Sequence, residues 1–94
     1  MNFLDFDLGH LNGGETVLVE LTGVESDVLL VTPTELTNLA AGRTYRYWGG
    51  HYKRSPARIG VPSGDHWHVA VVPGLGGRVS ANVRVLPATR VVGI

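Results

Sequence analysis

Apolar and polar residues alternate with a period of two through most of this 94-residue chain, the pattern of strands that bury one face. Phe3 to Leu8 runs through phenylalanine, aspartate and leucine in this way and predicts a first strand. Asn12-Gly13-Gly14 is a turn signal. In the next run, Val17, Val19 and Leu21 fall on one face, and Thr16, Glu20 and Thr22 fall on the other. Gly23 to Asp27 turns the chain. Val28 to Val31 is apolar without a break, so it is either a central strand buried on both faces or a short piece of core.

The period then changes. Thr32-Pro33-Thr34-Glu35-Leu36 predicts a helix, with Thr32 as N-cap, Pro33 at the first helical position and Glu35 closing a capping box. Leu36, Leu39 and Ala40 make its apolar stripe, and Gly42 is placed to end it. Such a helix would cover one end or face of a sheet.

After the helix the period of two returns. Tyr45 and Tyr47 alternate with Arg46 and Trp48, and Ala57, Ile59 and Val61 alternate with Arg58. Trp67, Val69 and Val71 share a face, as do Val79, Ala81, Val83 and Val85 against Ser80, Asn82 and Arg84. A last short strand is expected from Val91 to Ile94. Turn signals every eight to twelve residues indicate a mostly β fold: a small antiparallel β-sandwich or partly open barrel of about six to eight strands with one short helix. No repeat or linker divides the chain, so residues 1–94 are expected to form one compact domain.

Successive strands usually pair as hairpins, and a one-residue slip would send an apolar set to water. Joining 57–61 to 66–72 through Pro62–Asp65 puts Arg58 beside His66 and His68. Joining 66–72 to 78–86 through Pro73–Gly77 sets His68 opposite Asn82 and His66 opposite Arg84. The expectation is a shared outer surface of Arg58, His66, His68, Asn82 and Arg84, with Trp67 facing the core.

Composition narrows the chemistry. Cysteine is absent, which excludes disulfides, thiolate catalysis and zinc fingers. The acidic start lacks the basic region and long apolar run of a secretory signal, and no stretch approaches the ~18 apolar residues of a membrane span. A cytoplasmic protein without a membrane partner is expected. The formal net charge of zero conceals a split: seven acids and no Lys or Arg up to Gly42, then eight bases and one acid, Asp65. The plain reading is that the two halves neutralise one another across the fold. The sharper one is a basic face meeting an anionic or acidic partner.

His66 and His68, two apart on a strand, project the same way, a geometry that binds zinc or iron in several enzyme classes. Gly60, six residues earlier, matches the first half of a cupin signature, but no glutamate follows His68. A metal needs three or four ligands; nothing in the sequence places His10 or His51 nearby, and Arg58 and Arg84 would repel a cation. No metal and no cofactor are therefore expected. Ser55, Ser63 and Ser80 carry no nucleophile signature. Gly74–Gly77 lacks the lysine and hydroxyl of a P-loop and reads as a hairpin turn. Residues 43–56, RTYRYWGGHYKRSP, interleave four bases with four aromatics, which would suit a polyanion. They would equally serve as core tyrosines with a glycine bend. The zero net charge argues against nucleic acid.

The phrases RYWGGHYKRSP and HWHVAVV, with FLDFDLGHL at the start, resemble a small bacterial family known only as a domain of unknown function. The resemblance covers essentially the whole chain. It implies a compact, mostly β domain, in some members beside a TIR domain, the signalling module of bacterial defence systems. It implies no activity. Family members commonly carry glycine just before HWHV, where this chain has Asp65 preceded by Gly64.

The sequence thus favours a non-enzymatic binding module. It would present Arg46, Trp48, His51, Lys53, Arg54, Arg58, His66, His68 and Arg84 to an anionic small ligand or acidic protein surface. The alternatives are a metal-dependent enzyme using His66 and His68 with His51 or His10, and an assembly domain whose acidic and basic halves meet between subunits of a homo-oligomer.

Overall fold

A computed structural model describes residues 2–88. The strand expected at Val91–Ile94 lies outside them. Seven strands and one helix follow in the order β1 (Leu4–Leu11), β2 (Thr16–Gly23), β3 (Ser26–Val31), α1 (Pro33–Ala40), β4 (Trp48–Tyr52), β5 (Ala57–Gly60), β6 (Asp65–Pro73) and β7 (Val79–Leu86). They form two antiparallel sheets, of order β1-β6-β3-β4 and β5-β2-β7. This is the expected small β-sandwich.

Alternation decides which side chains meet between the sheets. Val17 and Val19, Val28 and Leu30, Ala57 and Ile59, and Trp67, Val69 and Val71 are all buried there, joined by the half-buried Val79, Ala81 and Val83. Val85 continues this face of β7 but is exposed. The unbroken apolar run is explained by position: β3 lies inside its sheet, with Leu29 and Val31 buried on the opposite face beneath Leu39 and Leu36 of α1. Ala40 belongs to the predicted stripe but is exposed.

The helix is bounded much as its sequence requires. Thr32 Oγ1 accepts from the Glu35 amide at 3.5 Å and Pro33 opens the first turn. At the other end, Arg43 N–H donates to Asn38 O at 2.8 Å and Gly42 N–H to Leu39 O at 3.1 Å, a Schellman closure. Glu35 does not complete a capping box. Its carboxylate instead accepts from the Arg46 amide, which ties the segment after the helix back to its first turn.

Both expected hairpins are absent. β5 pairs with β2, and β6 pairs with β1 and β3, so Pro62–Asp65 crosses from one sheet to the other. Pro73–Gly77 crosses back, because β7 also pairs with β2. The local turn is real, with Gly77 N–H donating to Gly74 O at 3.1 Å, but it makes an arch and not a hairpin. Sequence adjacency misleads here because each connection closes the sandwich instead of extending a sheet.

The strand expected at Tyr45–Trp48 begins only at Trp48, and the Gly49-Gly50 pair read as a bend lies within β4. Tyr45 packs half-buried beside α1, whereas Tyr47 is exposed. Gly49 has φ +116°, and a side chain on it would land on the Val28 carbonyl oxygen. A glycine is therefore what lets β4 approach β3 at this edge.

Candidate functional site

The outer face of the larger sheet holds the most concentrated polar chemistry. His66 and His68 do project together from β6, as alternation requires, with stacked rings 5.2 Å apart at their centroids. Their neighbours are carboxylates, not arginines. β1 runs antiparallel beside them, placing Asp5 opposite Ala70 and Asp7 opposite His68. His66 Nε2 lies 2.6 Å from Asp7 Oδ1, and His68 Nδ1 lies 2.9 Å from Asp5 Oδ1. The expected surface of Arg58, His66, His68, Asn82 and Arg84 is thereby split: the arginines and Asn82 belong to the other sheet.

A β-bulge adds a third histidine to this face. The β1–β6 register shifts between Asp7 and Gly9, so His10 comes opposite His66. Unbroken alternation from Asp7 would have turned His10 toward the core. Gly9 adopts φ +71° at this point, and its amide donates to Asp7 Oδ1 at 2.9 Å. That amide, followed by the His66 hydrogen bond, holds the Asp7 carboxyl below its ordinary pKa. Asp7, His66 and His68 each offer a ligand atom, and these atoms lie within 4.8 Å of one another.

His51 does not approach this group. It faces Asp27 across the β3–β4 pair, with Nδ1 2.8 Å from Asp27 Oδ1 and Nε2 3.0 Å from Glu25 Oε1. The two carboxylates raise its pKa, Asp27 more than Glu25. They use opposite sides of the imidazole, so the three groups do not converge on a point.

The basic residues are distributed elsewhere. Arg58 of β5 and Arg84 of β7 stand on either side of Leu18 in one cross-strand row. Leu18 is buried although it faces outward, consistent with long arginine stems covering it. Arg84 makes a loose pair with Glu20 at 3.7 Å. Lys53 and Arg54 are exposed in the connection to β5, which is tied to β2 by a 2.8 Å hydrogen bond from the Leu21 amide to Ser55 Oγ. Arg46 is exposed beyond the helix. Trp48 is partly exposed at the sheet edge with its ring edge-on to buried Trp67.

Asp5, Asp7, Glu25 and Asp27 are the members that sequence reasoning omits, and His10 is one that it names without placing. One signal was present: DFD in β1 and HWH in β6 share the same i, i+2 spacing of polar groups around an aromatic, so pairing them would align acids with histidines.

The family model for a domain of unknown function, DUF1883, matches residues 1–89. The chain belongs to the DUF1883 family. Neither a curated protein nor a solved structure matches it. In this DUF1883 domain, Asp65, where glycine was expected, opens β6 and accepts from the His66 amide at 2.7 Å. No helix among the described residues is long and apolar enough to cross a membrane.

Proposed function

We propose that this domain is a non-enzymatic binding module whose basic residues engage an anionic ligand or an acidic protein surface. What supports the reading is an asymmetry in how charge is used. Every carboxylate side chain has a partner within the fold: Asp5, Asp7, Glu25 and Asp27 on histidines, Glu20 on Arg84, and Glu15, Glu35 and Asp65 on backbone amides. Arg43, Arg46, Lys53, Arg54, Arg58 and Arg78, by contrast, make no ion pair among the described residues. The acids are hydrogen-bonded within the chain, mostly to histidines and backbone amides, which leaves most of the basic side chains without a carboxylate partner and available to an outside one.

Arg58 and Arg84, flanking Leu18, are the strongest pair for this role, because guanidinium groups grip carboxylate or phosphate with two donors each. Lys53 and Arg54 lead into the same strand, β5. His51, His66 and His68 are set apart from this surface by their own carboxylates. On the expected family association, the module would be the sensing or interaction part of a bacterial TIR-type signalling or defence system. An assembly of acidic halves on basic halves is less favoured, since its acids are already engaged within the chain.

The test is a residue-resolved NMR titration with poly-glutamate, standing for an acidic protein surface, and separately with pyrophosphate, standing for a small anion. Shifts should cluster at residues 53–58 and around Arg84, weaken with salt, and disappear in the R58E/R84E double variant. Binding that the double variant leaves unchanged in affinity and salt dependence would remove this surface from consideration.

A further inference from the structure

The arginines that argued against a cation beside His66 and His68 are on the other sheet, and carboxylates stand in their place. We propose that Asp7, His66 and His68 form a binding site for a divalent transition metal of the zinc class, separate from the basic surface proposed above. The juxtaposition that carries it is the convergence of one carboxylate oxygen and two imidazole nitrogens, all within 4.8 Å of one another, on the outer face of β1 and β6.

The frame is suited to holding ligands. β6 pairs with β1 at both histidines and with β3 from His68 onward, so the His68 backbone is held on both sides and that of His66 by β1. The Gly9 amide orients Asp7 through Oδ1. Asp5 takes His68 Nδ1 at 2.9 Å, which leaves Nε2 as the available nitrogen of that ring. This is the carboxylate–histidine–metal arrangement in which an outer acid sets the tautomer of a ligand.

The dimensions are compatible. With metal–nitrogen and metal–oxygen bonds of about 2.0–2.2 Å, ligand atoms around a tetrahedral ion stand about 3.3 Å apart. His66 Nε2 and Asp7 Oδ1 are 2.6 Å apart, joined by a hydrogen bond. A metal entering there takes the place of the bridging proton, which moves to Nδ1 of a neutral ring or leaves to solvent from a protonated one, and widens the pair by about 0.7 Å. Both side chains are about half exposed, at 44% and 59%, so small rotations allow it. Three protein ligands leave the remaining position to water, and two imidazoles with one carboxylate favour zinc, nickel, cobalt or copper over calcium or magnesium.

His51 supplies the internal control. It also sits among carboxylates, but Asp27 and Glu25 occupy its two nitrogens on opposite sides.

The test uses tag-free protein stripped with chelator, titrated with zinc by calorimetry and with cobalt by visible absorption. One equivalent should bind, with a cobalt spectrum of four-coordinate nitrogen and oxygen ligation. H66A and D7N should each weaken binding by more than about 100-fold, D5N by about 10-fold, and H51A should leave it unchanged. Circular dichroism of each variant separates lost ligation from lost folding, and D7N, a near-isosteric change on an exposed side chain, covers the case in which H66A fails to fold. Absence of stoichiometric binding, or binding that H66A and D7N leave intact, overturns the proposal. Neither outcome touches the arginine surface, whose probes are anions.

Discussion

Trp48 stands edge-on to Trp67, with ring centroids 5.3 Å apart and ring planes at 88°. The two rings have different environments. Trp67 is 1% exposed in the centre of the sandwich, its indole N–H donating to Ser63 O at 3.0 Å. Trp48 lies on the edge strand and is 43% exposed.

Replacing the two tryptophans should therefore give unequal losses. W67A empties the middle of the core and should destabilise by about 3–5 kcal/mol. W48A removes an aromatic pair and some half-exposed area, which is worth about 1 kcal/mol. Urea denaturation of the two variants measures both; equal losses would place Trp67 outside the core that it is said to anchor.

His51 should titrate above the ordinary histidine value of 6.5, because Asp27 first and Glu25 second favour its protonated form. Its folded pKa is raised, so its contribution to stability is complete below 6.5 and is lost as pH rises through the raised value. Histidine NMR titrations should show D27N lowering the value more than E25Q. The fall in stability on the alkaline side should flatten in both variants. A His51 value unmoved by D27N would contradict the pairing.

Two glycines with positive φ should respond differently to alanine. Gly49 has φ +116°, with the Val28 carbonyl in the path of a side chain, whereas Gly9 has φ +71° and open space around it. G9A should cost about 1–2 kcal/mol from backbone strain alone. G49A adds a backbone collision to that strain and should cost clearly more, with loss of the β3–β4 hydrogen bonds in amide exchange. Similar thermal melts for the two variants would count against the close approach of β4.

How much of this was legible in the sequence depends on the range of the signal. Alternation is local, so Val17 and Val19, Ala57 and Ile59, and Trp67, Val69 and Val71 were assigned to the core correctly. The Thr32 cap and the Gly42 stop were equally local. Strand partners were not, because Asp5 and His68 meet across 63 residues, and only the whole sandwich determines which strands lie side by side. The hairpin rule filled that gap with the wrong neighbours and placed Arg58 and Arg84 beside the histidines. His10 was hidden for another reason: a bulge leaves no mark on the apolar count except a glycine.

That bulge gives β1 an inheritance measured in length as well as in letters. Losing a single codon between Asp7 and His10 would leave every acid and every histidine of this face encoded. It would also remove the extra residue of the bulge, so plain alternation would keep Asp5, Asp7 and the histidine on one face of an unbulged strand. Among related genes, a relative with the same residues one position closer together would therefore carry the same surface without needing a glycine at positive φ between them.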